Sequence, residues 1–256
     1  MNRIPNQKRI FLDHVGWMVP DMIAAAAAFK RLGFRLTPFS VHGRRDTPTG
    51  PLQPSGTANR LAMLDRGYLE ILTLQPGAAS SVADHMRSAM ARHVGVHLLA
   101  FTVAEAEDEA RQLAARGISL EPTVHLRRSI EAEDGTPVEV AFTVVRAALS
   151  SFPEARVQIL THHTPEHMWQ GRYLVHDNAI SGLDEVVLAV DDPQAAAERF
   201  ARFLDRPPAG ENSLLLDLDP ETRGFLGPLT LGDESLTIVL DRGRLRFMTK
   251  TDAALE

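Results

Sequence analysis

The sequence contains no cysteine, although it has 256 residues and ten histidines. The lack of thiols excludes disulfides, cysteine nucleophiles and protein-held iron–sulfur clusters, so any metal ion must be bound by His, Asp, Glu or water. Positive charge is not in excess, since the formal net charge is −6, which argues against a nucleic-acid partner. No apolar run approaches the ~20 residues of a membrane span. The sequence therefore predicts a soluble cytoplasmic protein without a membrane partner.

The composition is that of an ordinary globular protein. Hydrophobic residues make up 44% of the chain and charged residues 23%, which is far from the composition of disordered chains. The length is sufficient for one large domain or two small ones, each with a buried core.

The first 75 residues predict the element order β-α-β-β-β. Residues 11–19 are rich in β-branched and aromatic side chains and stop at Pro20, which is typical of a strand. An Ala-rich helix is predicted at 22–32, with Asp21 as its N-cap and Gly33 at its C-terminal end. Strands are predicted at 34–42, 57–64 and 68–74, with a loop rich in Gly, Pro and Arg at 43–55.

The same order recurs twice more, with a period of about 85 residues. The second copy has predicted strands at 95–103, 118–130, 138–146 and 156–161 and a helix at 104–116. A connecting helix is predicted at 80–93. The third copy has a strand at 183–190, a helix at 193–204 and shorter strands at 213–218, 225–231 and 235–240.

Each predicted module has one helix, which covers only one face of its sheet. The other face is expected to close against a neighbouring module, with a cavity between them. The sequence therefore predicts an α+β fold of repeated βαβββ modules, with open curved sheets and helices on the outer face. We expect paired modules at 9–76 and 94–165, together forming a domain at 9–165, and a third, shortened module at 166–256.

Several short motifs in this order resemble a known superfamily. They are LDHV at 12–15, GTANR at 56–60, YLEI at 68–71, and THHTPE at 161–166 followed by Trp169 and HDN at 176–178. The chain resembles the vicinal oxygen chelate superfamily, and more narrowly the glyoxalase-like-domain proteins, over about its first 205 residues. The resemblance implies the paired-sheet fold of glyoxalases and dihydroxybiphenyl dioxygenases, with a small-molecule substrate in the cavity.

The resemblance also implies metal ligands on the first and last strands of each module. In module one these positions hold His14 and Glu70, and strand alternation supports both, because it leaves His14 on the cavity face. In module two the equivalent positions hold Leu98 and Gln158, and His97 lies on the opposite face unless a bulge turns it inward.

The ligand set implied for the metal is His14, Glu70 and His162, with His97, Gln158 and His176 as alternatives for the third ligand. A His and carboxylate set suits zinc, manganese, nickel or iron(II), which would stabilise an enediolate or a developing oxyanion. Glu70 is also a candidate general base, with His162 as a second acid–base group.

A second concentration of polar and aromatic residues is found at 161–178. We expect Trp169, His176 and Asn178 to contact the substrate there, together with Asn59 and Arg60 on the strand before Glu70. The predicted activity is that of a metal-dependent lyase, isomerase or dioxygenase acting on a small oxygen-rich molecule. The alternative is a metal-free, drug-type binding protein of the same fold, which the incomplete ligand set in module two would suit.

The third module favours an assembly role as well. Because it is short, it leaves an open sheet edge that needs a partner, which makes a homodimer a candidate assembly.

Overall fold

The computed structural model describes residues 3–45, 51, 53–93, 95–210 and 235–250. The chain divides into two compact units, Met1–Leu183 and Asp184–Glu256. The strands predicted at 213–218 and 225–231 lie outside the described residues. The domain division that we expected after residue 165 stays a prediction.

Module one has the predicted element order. It contains β1 (Phe11–Met18), α1 (Met22–Arg31), β2 (Ser40–Arg45), β3 (Gln53–Met63) and β4 (Tyr68–Leu74). The side chain of Asp21 begins α1 by accepting hydrogen bonds from the N–H groups of Ile23 and Ala24. The sheet order is β2-β3-β4-β1, with β1 and β4 parallel.

The predicted strand at 34–42 begins later than expected, at Ser40. Pro38 has no N–H group to donate to a neighbouring strand, which disfavours a regular ladder at this point. Residues 34–39 therefore run as irregular chain before β2.

Module two repeats this topology after the connecting helix α2 (Ser81–Arg92). It contains β5 (Val96–Thr102), α3 (Ala106–Ala115), β6 (Val124–Glu131), β7 (Pro137–Arg146) and β8 (Arg156–His162). Its sheet order is β6-β7-β8-β5, and β5 and β8 are parallel.

The two sheets join within the chain, because β1 pairs with β5 and β2 pairs with β6, both antiparallel. The result is a closed barrel of eight strands, a curled form of the predicted paired sheets. Its interior includes an apolar cluster of Met18, Leu72, Leu98, Val144 and Leu160, contributed by both modules. The candidate functional site lies beside this cluster.

A short segment after the barrel contains α4 (Pro165–Met168) and a 3-10 helix at Gly171–Tyr173. It packs on the barrel through Met168 and Trp169, which belong to a second apolar cluster with Leu61, Tyr68 and Val140.

The second unit has its own βαβββ order. It contains β9 (Glu185–Val190), α5 (Pro193–Leu204), β10 (Ala209–Gly210), β11 (Leu236–Val239) and β12 (Arg244–Thr249). The sheet order β10-β11-β12-β9, with β9 and β12 parallel, matches module one. We did not predict β12 from the sequence.

In this unit, Glu185 occupies the position that His14 holds in module one. Glu185 is paired with Arg244 on β12, as His14 is paired with Tyr68 on β4. Arg246, two residues further along β12, therefore matches Glu70. Its Nε lies 3.1 Å from Glu185 Oε1, so an ion pair stands where module one has a histidine and a carboxylate.

None of the helices in the described part of the chain combines the length and the apolar character required to cross a bilayer.

Candidate functional site

A cavity of about 280 Å³ lies inside the barrel and is lined by strands of both modules. We call it the inner cavity. One side of its wall is apolar, with Met18, Leu72, Leu98 and Leu160. The other side carries the polar residues His14, His42, Asn59, Glu70, Arg128, Arg146 and Gln158.

His14 and Glu70 form the centre of the polar side. β1 and β4 are adjacent parallel strands, and they place His14 Nε2 3.6 Å from Glu70 Oε2. The imidazole stacks on the ring of Tyr68, with 4.3 Å between ring centroids. Both residues are buried, so the two polar atoms face each other at the cavity wall rather than in bulk solvent.

Asp13 supports this pair from behind. Its Oδ2 lies 2.6 Å from His14 Nδ1, and its Oδ1 lies 2.9 Å from Nε2 of His162. Burial by itself raises the pKa of the Asp13 carboxyl, but the two imidazoles, His162 above all, outweigh burial and hold the pKa well below its usual range. Asp13 is therefore an ionised, buried carboxylate between two histidines.

The protonation pattern of His14 follows from this contact. An ionised carboxylate only accepts hydrogen bonds, so His14 donates from Nδ1 to Asp13. In the neutral imidazole, Nε2 then carries a lone pair and points towards the carboxylate oxygen of Glu70. Two acceptors that face each other in this way suit one shared proton, which is the arrangement of an acid–base pair.

Asn59 links the Glu70 carboxylate to the guanidinium of Arg128. Its Nδ2 donates to Glu70 Oε1 at 2.6 Å, and its Oδ1 accepts from Arg128 Nη1 at 2.6 Å. The remaining contact of the guanidinium is weak, because Nη2 lies 3.5 Å from the sulfur of Met168. Within the described residues no carboxylate oxygen lies within 4 Å of the Arg128 nitrogens, so this charge has no direct counter-ion.

His42 is a site residue that the sequence analysis missed. A register shift between Val41 and Gly43 in the β2–β3 ladder marks its position, and the side chain lines the inner cavity. Its Nδ1 lies 3.0 Å from Thr57 Oγ1. Burial, followed by the positive charge of Arg128, lowers the pKa of His42 from 6.5 to about 4, so the imidazole is neutral at physiological pH.

Module two contributes fewer polar groups, as the sequence indicates. Leu98 and Gln158 both line the inner cavity, and Gln158 Oε1 accepts a hydrogen bond from Arg146 Nε at 3.3 Å. His97 is instead engaged at the end of β1, where its Nδ1 accepts from the N–H of Met18 at 3.1 Å. Its Nε2 lies 3.0 Å from the carbonyl oxygen of His93.

His162 and Trp169 lie behind the cavity wall rather than on it. His162 is oriented by Asp13, and its ring is in edge contact with Trp169 at 4.9 Å between centroids. The indole N–H of Trp169 donates to the carbonyl of Leu64 at 3.0 Å. His162 therefore reaches His14 only through Asp13, and Trp169 packs against His162.

The other three predicted substrate contacts are engaged elsewhere. Arg60 alternates to the opposite face from Asn59 and donates to the Thr37 carbonyl at 3.1 Å. His176 accepts from the N–H of Arg35 at 3.0 Å, and its Nε2 lies 2.8 Å from the Met63 carbonyl oxygen. Asn178 donates to the carbonyl of Leu32, the last residue of the turn that ends α1.

The donors of the site match a divalent metal only in part. His14 and Glu70 are spaced so that both could contact one ion, and Asp13 orients the histidine as carboxylates do beside metal sites. Catalytic zinc sites use three protein donors beside the open position. His162 points to Asp13, and in module two Leu98 takes the place of His14. Gln158, which takes the place of Glu70, is an uncharged donor whose Oε1 already accepts a hydrogen bond from Arg146. The described residues contain no group of three His, Asp or Glu side chains arranged to hold a metal ion. The side chains present therefore do not fit a protein-held metal.

Comparison with known proteins gives a family match. The family model described as "Glyoxalase-like domain" matches residues 12–204. No curated protein matches the chain. The crystal structure of a hypothetical protein from Staphylococcus aureus is similar at 10% identity, with 94% of this chain and 86% of that chain covered and a TM-score of 0.63. A methylmalonyl-CoA epimerase from Streptomyces coelicolor, at 16% identity, covers 62% of this chain and 99% of its own, with a TM-score of 0.40.

Proposed function

The chain belongs to the glyoxalase-like domain family, and we propose that it binds a small organic anion in the inner cavity and catalyses a proton transfer on it. In this proposal Glu70 and His14 move the proton and Arg128 holds the anionic group. The reaction class is that of an isomerase or lyase which removes a proton next to a carbonyl or carboxylate group.

The observation that carries the proposal is that Arg128 has no carboxylate partner among the described residues. A guanidinium at a cavity wall without a carboxylate partner is unfavourable in an empty site and favours an anionic ligand. Asn59 fixes one edge of this guanidinium at 2.6 Å. Arg146, which also lines the cavity, adds a second positive charge. A carboxylate or phosphate group is the ligand that such an arrangement recognises.

The acid–base pair supplies the chemistry. Glu70 Oε2 takes the proton from the carbon next to the carbonyl group, and the electron pair of the C–H bond moves to the carbonyl oxygen. The positive charge of Arg128 stabilises the resulting enolate. The proton, held between Glu70 Oε2 and His14 Nε2, then returns to carbon. Return to another carbon gives a positional isomer, and loss of a leaving group from the enolate gives a lyase product.

The donor atoms of the site favour neither the predicted divalent metal nor the predicted dioxygenase chemistry. Two donors, His14 and Glu70, face a cavity that is also lined by four arginines, and these cations oppose a further positive charge. We therefore derive the proton transfer without a metal step. Zinc, manganese, nickel and iron(II) remain the ions to be tried in the experiment below.

Deuterium exchange tests the proposal directly. We expect the enzyme to accelerate uptake of deuterium from D2O into pyruvate, 2-oxobutanoate or acetoacetate, followed by proton NMR. Glu70→Gln should lower the rate by roughly 100-fold or more, as expected for loss of a general base. Glu166→Gln, on an exposed side chain, is the matched control and should leave the rate unchanged. Arg128→Met should abolish binding of the same anions in calorimetry, whereas Arg111→Met on the surface should not.

The alternatives predict different outcomes. Exchange that is lost with EDTA and restored by one of the four ions would overturn the metal-independent mechanism. Binding that depends on Arg128 without any exchange would show the drug-type binding protein that the sequence also allows. The predicted homodimer and cytoplasmic location stay predictions, to be tested by light scattering and by fractionation of cells.

A further inference from the structure

A second cavity of about 400 Å³ opens in the barrel wall next to the inner cavity. We call it the cleft. It lies between the start of β2, with Phe39 and Ser40, and the end of β6, with Ser129 and Ile130. Tyr173 and Gln170, from the segment after the barrel, complete its wall.

The cleft exists because β2 and β6 separate. Their ladder joins residues 43–45 to residues 125–127, and the same register continued would pair Ser40 with Ile130. Both of these residues line the cleft instead. Pro38 at the rim has no N–H group with which to extend the ladder.

The cleft and the inner cavity share part of their walls. Leu61, Arg128 and Met168 line both spaces. Among the described residues no carboxylate lies within 4 Å of the Arg128 nitrogens, and Asn59 connects Arg128 to Glu70. An anionic group held at Arg128 therefore lies where the two spaces meet, with the acid–base pair on one side and the cleft on the other.

The cleft wall is more apolar than polar. Phe39 keeps 43% of its surface exposed although it borders this concave site, and Ile130 and Tyr173 also line it. The one carboxylate among the described lining residues, Glu131, lies 3.6 Å from Arg172 Nη1. An exposed aromatic side chain beside a concave, largely apolar surface is typical of ligand sites.

From this geometry we infer that the substrate has two parts, a small oxo-acid head in the inner cavity and an apolar tail in the cleft, with its anionic group at Arg128. The inference rests on the proposed function, since it takes the anion site as given. It adds the substrate class, which is a medium-chain or otherwise apolar organic acid rather than a compact polar one.

The tail is tested with a homologous series of ligands. Calorimetric titration of pyruvate, 2-oxobutanoate, 2-oxohexanoate and 2-oxooctanoate should show affinity that rises by about fourfold for each methylene group buried in the cleft. Ser129→Trp, at an exposed cleft position, should block the tail and remove this increase without changing the affinity for pyruvate. Ser150→Trp, at an exposed serine in a distant turn, is the matched control and should preserve the increase.

Phe39→Ala provides a second measurement that does not depend on filling the cleft. It should weaken binding of 2-oxooctanoate and leave pyruvate binding unchanged, whereas Ile180→Ala, which is equally exposed at 43%, should affect neither. Two results would contradict the proposed tail in the cleft but not anion binding at Arg128. In the first, pyruvate binds but the affinity is constant along the series. In the second, the increase in affinity survives Ser129→Trp. If no member of the series binds, the proposed function itself has failed.

Discussion

His14 and Glu70 face each other across 3.6 Å, and each is held from behind by one further side chain. Asp13 fixes the imidazole through Nδ1, and Asn59 fixes the carboxylate through Oε1. The two free atoms, Nε2 and Oε2, are therefore positioned by contacts that do not use them. This arrangement keeps the pair in place before any ligand arrives.

Asp13→Asn is expected to destabilise the protein. The substitution keeps the shape of the side chain but removes the charge between two buried histidines. We expect the free energy of unfolding, measured with urea, to fall by about 3 kcal/mol, as for loss of one partner of a buried ion pair. Asp65→Asn, on a half-exposed side chain, should change it by less than about 0.5 kcal/mol. Equal losses in the two variants would contradict the buried role of Asp13.

The lowered pKa of Asp13 predicts that its contribution to the free energy of unfolding is lost in acid. The pKa of Asp13 is lower in the folded chain than in the unfolded chain, so its contribution is fully present above the ordinary carboxyl pKa of about 3.9. That contribution is lost as the pH falls from there through the lower pKa of the folded state. The difference in stability between the wild type and Asp13→Asn should therefore shrink in this acid range. A constant difference would argue against the lowered pKa.

The lowered pKa of His42 predicts a second effect of pH on stability, at higher pH than that of Asp13. Because its pKa falls from 6.5 to about 4 on folding, the unfolded chain takes up this proton first as the pH decreases. The imidazole therefore lowers the stability of the fold progressively between pH 6.5 and 4. The NMR titration of its ring protons should give a midpoint near 4, and His42→Gln should remove this part of the pH dependence. A midpoint near the ordinary value would show that the side chain is not enclosed.

Leu98→His is expected to create zinc binding. Leu98 on β5 and Glu70 on β4 are both paired with Gly16 on β1, which has no side chain between them. A histidine there would add a third donor to His14 and Glu70. Calorimetry should detect zinc binding by this variant at concentrations where the wild type shows none, and Leu149→His on the surface should behave as the wild type. Tight zinc binding by the wild type would show that two donors suffice.

His176→Ala separates a structural role from the substrate contact that we predicted. The imidazole bridges the Arg35 N–H group and the Met63 carbonyl, so its loss leaves two backbone groups without these partners. We expect a fall of about 2 kcal/mol in the free energy of unfolding. Binding of pyruvate at temperatures where the variant is folded should be unchanged. Weakened binding with intact stability would restore the predicted substrate role.

The repeated βαβββ order could be predicted from the sequence, because strand alternation and helix end signals are local. Residues 68–74 and 193–204 have the predicted bounds. The same alternation places His14 on the cavity face of β1, where the structure has it. The family resemblance, which is confirmed, supplied the pairing of His14 with Glu70.

Two of the site residues that were missed, Asp13 and His42, share a physical cause, whereas Arg128 was missed because a strand arginine is usually a surface charge. Asp13 lies at a register shift between Leu12 and His14, and His42 lies at one between Val41 and Gly43. A bulge inserts an extra residue and redirects its side chain, which an alternating pattern cannot anticipate. Asp13 therefore reaches the same cluster as its neighbour His14, although strict alternation would put it on the other face.

The histidine-rich segment at 161–178 shows the opposite difficulty. Its density of imidazole and indole groups suggested substrate contacts, but His162, Trp169 and His176 bind a carboxylate or backbone carbonyls of the barrel. Composition reveals that polar groups are present, and only the fold shows which of them are already satisfied.

The ion pair between Glu185 and Arg246 changes the electrostatics of the third module. A cation and a carboxylate in contact neutralise each other, whereas His14 and Glu70 present two facing acceptor atoms. The third module therefore repeats the topology of module one, but at the same two register positions it has a closed charge pair.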